Sequence, residues 1–294
     1  MERAPPHGRP FLMGKFFRVG DVRYTRVMKR TVLIVAVLLG IIGLGAGGLY
    51  TVFFETKETS SAVSTVDDSY TVDELFELGE YYFNHTDTPG GAYDLALARD
   101  YYQAAIRKDP QGHPAVWYQL GRIDFIEGDF EGALYKFERQ REYFPDSEIN
   151  VDYMVGLTYG YKARRTNDPA DWERGAEAFA NFVEFEPAAP WPRVDLAWIY
   201  FAQGKYEEMK PVLAEGLIYD SNNAWLHNMY GLALLNTDDL EGAREHFVFA
   251  RELAADLTPE DWGKSYPGNN PGDWEQGLRE FQEAILKNIA LTEV

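Results

Sequence analysis

The chain has 294 residues, of which 46% are hydrophobic, 15% aromatic and 26% charged, so it is long and apolar enough to bury a sizeable core. This composition excludes a disordered, collagen-like or disulfide-stapled protein, and the absence of cysteine excludes thiolate metal ligands and cysteine nucleophiles. The net charge of −19 argues against nucleic acid as a partner, because phosphate binding needs a basic face.

The first notable segment is an uncharged run near the N-terminus. Residues 1–54 hold eight bases and two acids, and residues 31–54 contain no charged side chain. A helix of that length spans about 36 Å, enough to cross a hydrocarbon core of about 30 Å. Because bases crowd residues 23–30, the positive-inside rule places residues 1–30 in the cytoplasm. The sequence therefore predicts a transmembrane helix at 31–54 and an extracytoplasmic C-terminal domain, on the periplasmic or cell-surface side.

Two other interpretations of this run are open. A cleaved signal peptide starting at Met28 would also export the domain, although the apolar run is longer than usual. The glycines of residues 43–48 match a dinucleotide-binding motif, but that motif needs a strand before it and an amphipathic helix after it. Gly43 and Gly47 suit self-association through close helix packing in the membrane instead. Residues 55–70 are polar and predict a flexible linker.

From residue 71 the pattern is helical and repeats itself. Helix-ending or equivalent positions recur at spacings of 35, 42, 34 and 34 residues, at Pro110, Pro145, Pro187, Ser221 and Ala255. A small residue recurs in the first helix of each unit, at Gly79, Gly121, Gly156, Ala197 and Gly231. The second unit carries Trp117-x-x-Leu120-Gly121, then Ala133-x-x-x-Phe137 and Pro145.

These residues and spacings resemble the tetratricopeptide repeat (TPR), a helix–turn–helix unit of 34 residues. The resemblance covers five units over residues 71–256 and implies an all-α, right-handed solenoid whose units must stack to bury their apolar faces. Asp124 departs from the family pattern, which has Tyr there. Extra residues near 84–90 and 164–169 predict lengthened turns. Residues 257–294 predict a loop followed by a capping helix over 274–290, with Asp273 as its N-cap.

The resemblance also implies a groove lined by the first helix of each unit. Carrying the pattern over places one arginine and seven aromatic residues on or near that groove: Phe76, Tyr118, Arg122, Tyr153, Tyr161, Trp191, Trp198 and Trp225. Aromatic side chains in an exposed groove are typical binding anchors, but the same residues can instead pack between repeats. The family's carboxylate-clamp residues are not matched here. An apolar or aromatic peptide or helix is therefore the expected partner.

The sequence contains no motif that carries catalysis. It has no H-E-x-x-H pair, no P-loop and no G-x-S-x-G, so we predict no catalytic residue, no metal site and no cofactor. The prediction is a non-enzymatic scaffold or assembly factor that binds a protein near the membrane. An envelope glycan-binding module and, less favoured, a hydrolytic enzyme are the alternatives.

Overall fold

The computed structural model describes residues 69–83, 93–265 and 270–293. The predicted cytoplasmic segment 1–30, the predicted transmembrane helix at 31–54 with Gly43 and Gly47, and the predicted linker up to residue 68 lie outside the described residues. Within the described part of the chain, no helix combines the length and the apolar character needed to cross a membrane.

Ten of the helices form five successive antiparallel pairs. They are α1 Val72–Phe83 with α2 Leu95–Lys108, α3 Val116–Glu127 with α4 Phe130–Tyr143, α5 Asp152–Thr166 with α6 Pro169–Phe185, α7 Trp191–Ala202 with α8 Tyr206–Tyr219, and α9 Ala224–Leu235 with α10 Leu240–Ala255. Each second helix also packs on the first helix of the next pair. The predicted all-helical solenoid is confirmed.

A glycine and an aromatic ring meet where the two helices of a pair cross. A Cβ atom added to Gly121 would lie 2.5 Å from the ring of Phe137, and one added to Gly231 would lie 2.5 Å from the ring of Phe247. Both phenylalanines are fully buried. Because the ring fills the space of the missing side chain, the helices approach closely at these points.

Helix starts and turns follow from local capping. Side chains of Asp94, Asp129 and Asp239 accept backbone N–H groups at the starts of α2, α4 and α10. The third pair differs from the prediction, because its extra residues lengthen α5 and α6 rather than the turn. That turn contains only Asn167, in the left-handed region at φ 58°, and Asp168, which caps α6. The segment 84–90 lies outside the described residues.

Asp124, the residue that departs from the repeat pattern, is a buried and ion-paired carboxylate. It is 2% exposed and accepts a hydrogen bond from Arg99 of α2 at 2.6 Å, and it also pairs with Lys136 of α4. A carboxylate in this position is stabilised by two cations from neighbouring helices, which offsets the cost of burying its charge. Asp124 therefore joins α2, α3 and α4 by ion pairs.

The C-terminal part of the chain packs against the last helix pair. After α11, Pro259–Lys264, and a short 3₁₀ turn, Pro271–Asp273, the helix α12 runs over Trp274–Ala290, matching the predicted helix. Asp273 precedes it but makes no side-chain cap hydrogen bond. The buried residues of α12 include Leu278, Phe281, Ile285 and Ile289, which form one face. α12 packs on α10 and α11.

Candidate partner-binding face

The eight residues predicted to line a groove lie on the first helices of the pairs, which are α1, α3, α5, α7 and α9. We call the surface formed by the side chains of these five helices the first-helix face. The structure divides the eight equally. Four are buried, between 2% and 8% exposed: Tyr118, Tyr153, Trp191 and Trp225. Four are half-buried: Phe76, Arg122, Tyr161 and Trp198.

The buried residues hold neighbouring helices together. The hydroxyl of Tyr153 donates to Asp195 Oδ2 at 2.8 Å, which links α5 to α7. The rings of Tyr153 and Trp191 meet edge to face, with centroids 4.4 Å apart. Burial raises the pKa of Tyr118, so its hydroxyl stays neutral. These contacts give the buried residues a packing role, and a role in partner binding stays a prediction for them.

Trp225 is covered by the C-terminal helix. Its ring stacks on Phe281 of α12, with centroids 5.5 Å apart and planes 15° from parallel. Beside it, Asn288 Nδ2 of α12 donates to Asn228 Oδ1 at 2.9 Å. Helix α12 therefore occupies the place that the first helix of a sixth repeat would take, and it covers this end of the first-helix face.

Three aromatic residues form a continuous row across the middle of the face. Tyr161 of α5 lies between Phe125 of α3, at a centroid distance of 5.4 Å, and Trp198 of α7, at 5.3 Å. We call Phe125, Tyr161 and Trp198 the aromatic row. Trp198 also lies over Gly160, where an added Cβ would come within 2.6 Å of its ring, and meets Trp172 edge to face. Phe125 is buried, whereas the other two rings keep part of their surface exposed.

A polar network is centred on Arg122 of α3, about one helical turn before Phe125 of the row. The guanidinium of Arg122 lies 4.6 Å from the ring centre of Phe83, and its Nη1 donates to Gln119 Oε1 at 3.0 Å. Gln119 Nε2 in turn donates to Glu80 Oε1 at 2.6 Å. Because Gln119 fixes its position, Arg122 is a pre-oriented cation next to an aromatic surface. Phe76 lies further along, stacked on His113 at 3.6 Å.

The structure also pairs two histidines that helical spacing does not connect. His227 Nε2 lies 3.0 Å from the carbonyl of Ser221, so it must carry a proton and donate. With that proton on Nε2, His227 Nδ1 is left as an acceptor for His246 Nδ1, which lies 2.9 Å away. Burial lowers the pKa of His246 to about 4, and repulsion between the two rings when both are protonated adds to this effect. Among the described residues, no three His, Asp or Glu side chains are grouped to hold a metal ion.

The stacked helix pairs, with a small residue at each crossing and a capping helix at the end, define a TPR-like α-solenoid. Two solved structures share this fold. MamA (residues 41 to the end) from Desulfovibrio magneticus RS-1 matches with a TM-score of 0.52 and 17% identity, over 63% of this chain and 95% of that one. The thermophilic TPR protein TTC0263 from Thermus thermophilus matches with a TM-score of 0.52 and 15% identity, over 74% of this chain and 100% of that one. No family model and no curated protein sequence matches the chain.

Proposed function

We propose that this protein is a non-enzymatic scaffold that binds a segment of another protein on its first-helix face. The aromatic row is the observation that carries the proposal. Tyr161 and Trp198 are large rings, held in place by neighbouring helices and still partly exposed. Rigid, amphipathic rings of this kind give binding energy at a low cost in conformational entropy.

The chemistry of the face specifies the kind of segment. Apolar or aromatic side chains of a peptide or helix would pack on the row, and an acceptor in the same segment would meet Arg122. As part of the proposal, residues 31–54 anchor the chain and place this face outside the cytoplasm. The apolar run and the basic residues before it support that placement.

The test compares two tryptophans on first helices. A displayed library of random peptides is selected on the purified full chain, and the affinities of selected peptides are measured for Trp198→Ala and Trp117→Ala. Trp117 is the matched control, because its ring stacks on Tyr143 of α4 and its Nε1 donates to the carbonyl of Pro110 at 2.9 Å. We expect the Trp198 variant to bind about thirtyfold more weakly, a loss of about 2 kcal/mol.

Stability has to be measured beside binding. Because Trp198 packs on Gly160 and Trp172, its truncation also lowers the free energy of unfolding, so affinities are compared at a temperature where circular dichroism shows both variants folded. Equal peptide affinities for the wild type and the folded Trp198 variant would contradict the proposal. Selection of envelope oligosaccharides but not of peptides would favour the glycan alternative.

A further inference from the structure

A cavity of about 490 Å³ lies away from the aromatic row, among the α6–α7 loop, the α8–α9 loop and α11. Its volume is in the range of ligand pockets in proteins. The side chains that define its chemistry are Glu186, Trp191, Asp220, Trp225, Leu257 and Asp261. Two of the tryptophans predicted for the groove thus contribute to a second concave surface.

The walls of the cavity are fixed by internal hydrogen bonds. Arg193, which is 1% exposed, donates through Nη1 to the carbonyls of Pro187 and Ala189 at 2.8 and 2.9 Å, and so holds the α6–α7 loop. Asn223 holds the α8–α9 loop, because its Nδ2 donates to Asp220 Oδ2 at 3.0 Å and its Oδ1 accepts from the backbone of α9. The cavity is therefore built before any ligand arrives.

The charged side chains that line the cavity are all acidic. Glu186, Asp220 and Asp261 line it, and within the described ranges of the chain no lysine or arginine does. Asp261 is already paired with Lys264 at 3.7 Å and accepts from Thr258, so Glu186 and Asp220 carry the charge that a ligand would meet. The buried Arg193 is already paired with Glu215 at 2.8 Å. Glu186 is half-buried, and among the described residues no cation lies within salt-bridge distance of it. Carboxylates next to tryptophan and leucine match a cation that has an apolar body.

Two exposed aromatic side chains adjoin lining carboxylates along the chain, and we call them the rim. Phe185 and Tyr219 come directly before Glu186 and Asp220 and are 58% and 47% exposed. The ring of Tyr219 lies 5.0 Å from the guanidinium carbon of Arg193, the residue that holds the cavity wall. A free small cation gains nothing from such a rim, whereas a polypeptide can cover it.

We propose that this cavity binds an arginine side chain of a partner protein, with apolar residues beside the arginine packing on Phe185 and Tyr219. The planar guanidinium pairs with carboxylates and lies against aromatic rings, and it sheds water more readily than an ammonium group does. This site is separate from the aromatic row, so it adds a second contact to a partner or a contact to a second partner.

The first test uses calorimetric titration of the full chain with three probes. They are the blocked peptide N-acetyl-Phe-Arg-Leu-amide, the same peptide with citrulline in place of arginine, and the free cation agmatine. We expect the citrulline peptide to bind about tenfold or more weakly than the arginine peptide, because it keeps the shape and loses the charge. Equal binding of the two peptides would overturn the proposal. Agmatine binding as tightly as the arginine peptide would refute a polypeptide partner.

The second test uses variants. Glu186→Gln should weaken binding of the arginine peptide about tenfold, whereas Glu184→Gln, an exposed position two residues earlier in the last turn of α6, should leave it unchanged. Phe185→Ser should weaken the peptide and spare agmatine. Trp198→Ala should change neither affinity, which separates this site from the aromatic row. Equal losses for Glu186→Gln and Glu184→Gln would refute the site.

Discussion

Gly121→Ala should destabilise the solenoid, although alanine is the better helix former. At an unconstrained helical position this change gains about 1 kcal/mol. Here the new methyl group would lie 2.5 and 2.8 Å from Cε1 and Cδ1 of Phe137, a ring that is fully buried and has no room to retreat. Overpacking of this kind costs about 1–3 kcal/mol, so after the gain in helix propensity we expect a net loss of up to about 2 kcal/mol.

The chain itself suggests the compensating change. In the fourth unit the small residue is Ala197, and the residue that corresponds to Phe137 is Leu213; both are fully buried. The units with glycine have an aromatic ring opposite. In a Phe137→Leu background, Gly121→Ala should therefore cost nothing or stabilise by up to about 1 kcal/mol. The double-mutant cycle of Gly121→Ala and Phe137→Leu should therefore show a coupling energy of about 1–3 kcal/mol.

The measurement is urea denaturation followed by helical circular dichroism, on the wild type, the two single variants and the double variant. Because solenoids can unfold in steps, the comparison uses variants whose transitions have the same slope. An equal cost of Gly121→Ala in both backgrounds would show that the ring does not limit the crossing, and would refute the reasoning.

Three further outcomes are expected. A reporter active only in an exported compartment should be active when fused after Val294; activity of a cytoplasm-only reporter would contradict the predicted topology. Burial and His227 lower the pKa of His246 from 6.5 to about 4. The free energy of unfolding should therefore decrease by about 1–2 kcal/mol, after allowance for solvent screening, as the pH falls through this range. Urea titrations at several pH values should show that His246→Asn removes this decrease. Asp124→Asn should cost about 3 kcal/mol in the same assay, whereas the exposed Glu127→Gln should cost less than about 1 kcal/mol.

The positions at which each repeat begins and ends were predictable from residue types alone. A glycine at a helix crossing, an aromatic residue opposite it and a proline at a helix end each follow from local sterics, so they are visible without the fold. The final helix was predictable for a similar reason, since Leu278, Phe281 and Ile285 repeat with helical spacing.

Whether an individual groove residue is buried or exposed was not predictable in this way. Tyr153 and Trp191 are on first helices as predicted, but the neighbouring first helix covers their rings. How far each pair rotates relative to the next decides which side chains stay exposed, and helical period within one unit carries no information about that rotation. The polar partner of Tyr153 is Asp195, 42 residues away, and only the stacked arrangement brings the two together.

The terminal helix α12 limits stacking on the C-terminal end of the described solenoid. It fills the sixth first-helix position, yet its outer side carries charged residues such as Glu275, Arg279 and Lys287, all exposed. A second copy stacking end to end on this side would have to strip water from those charges, which is costly. End-to-end stacking on the C-terminal end of the described solenoid is therefore disfavoured.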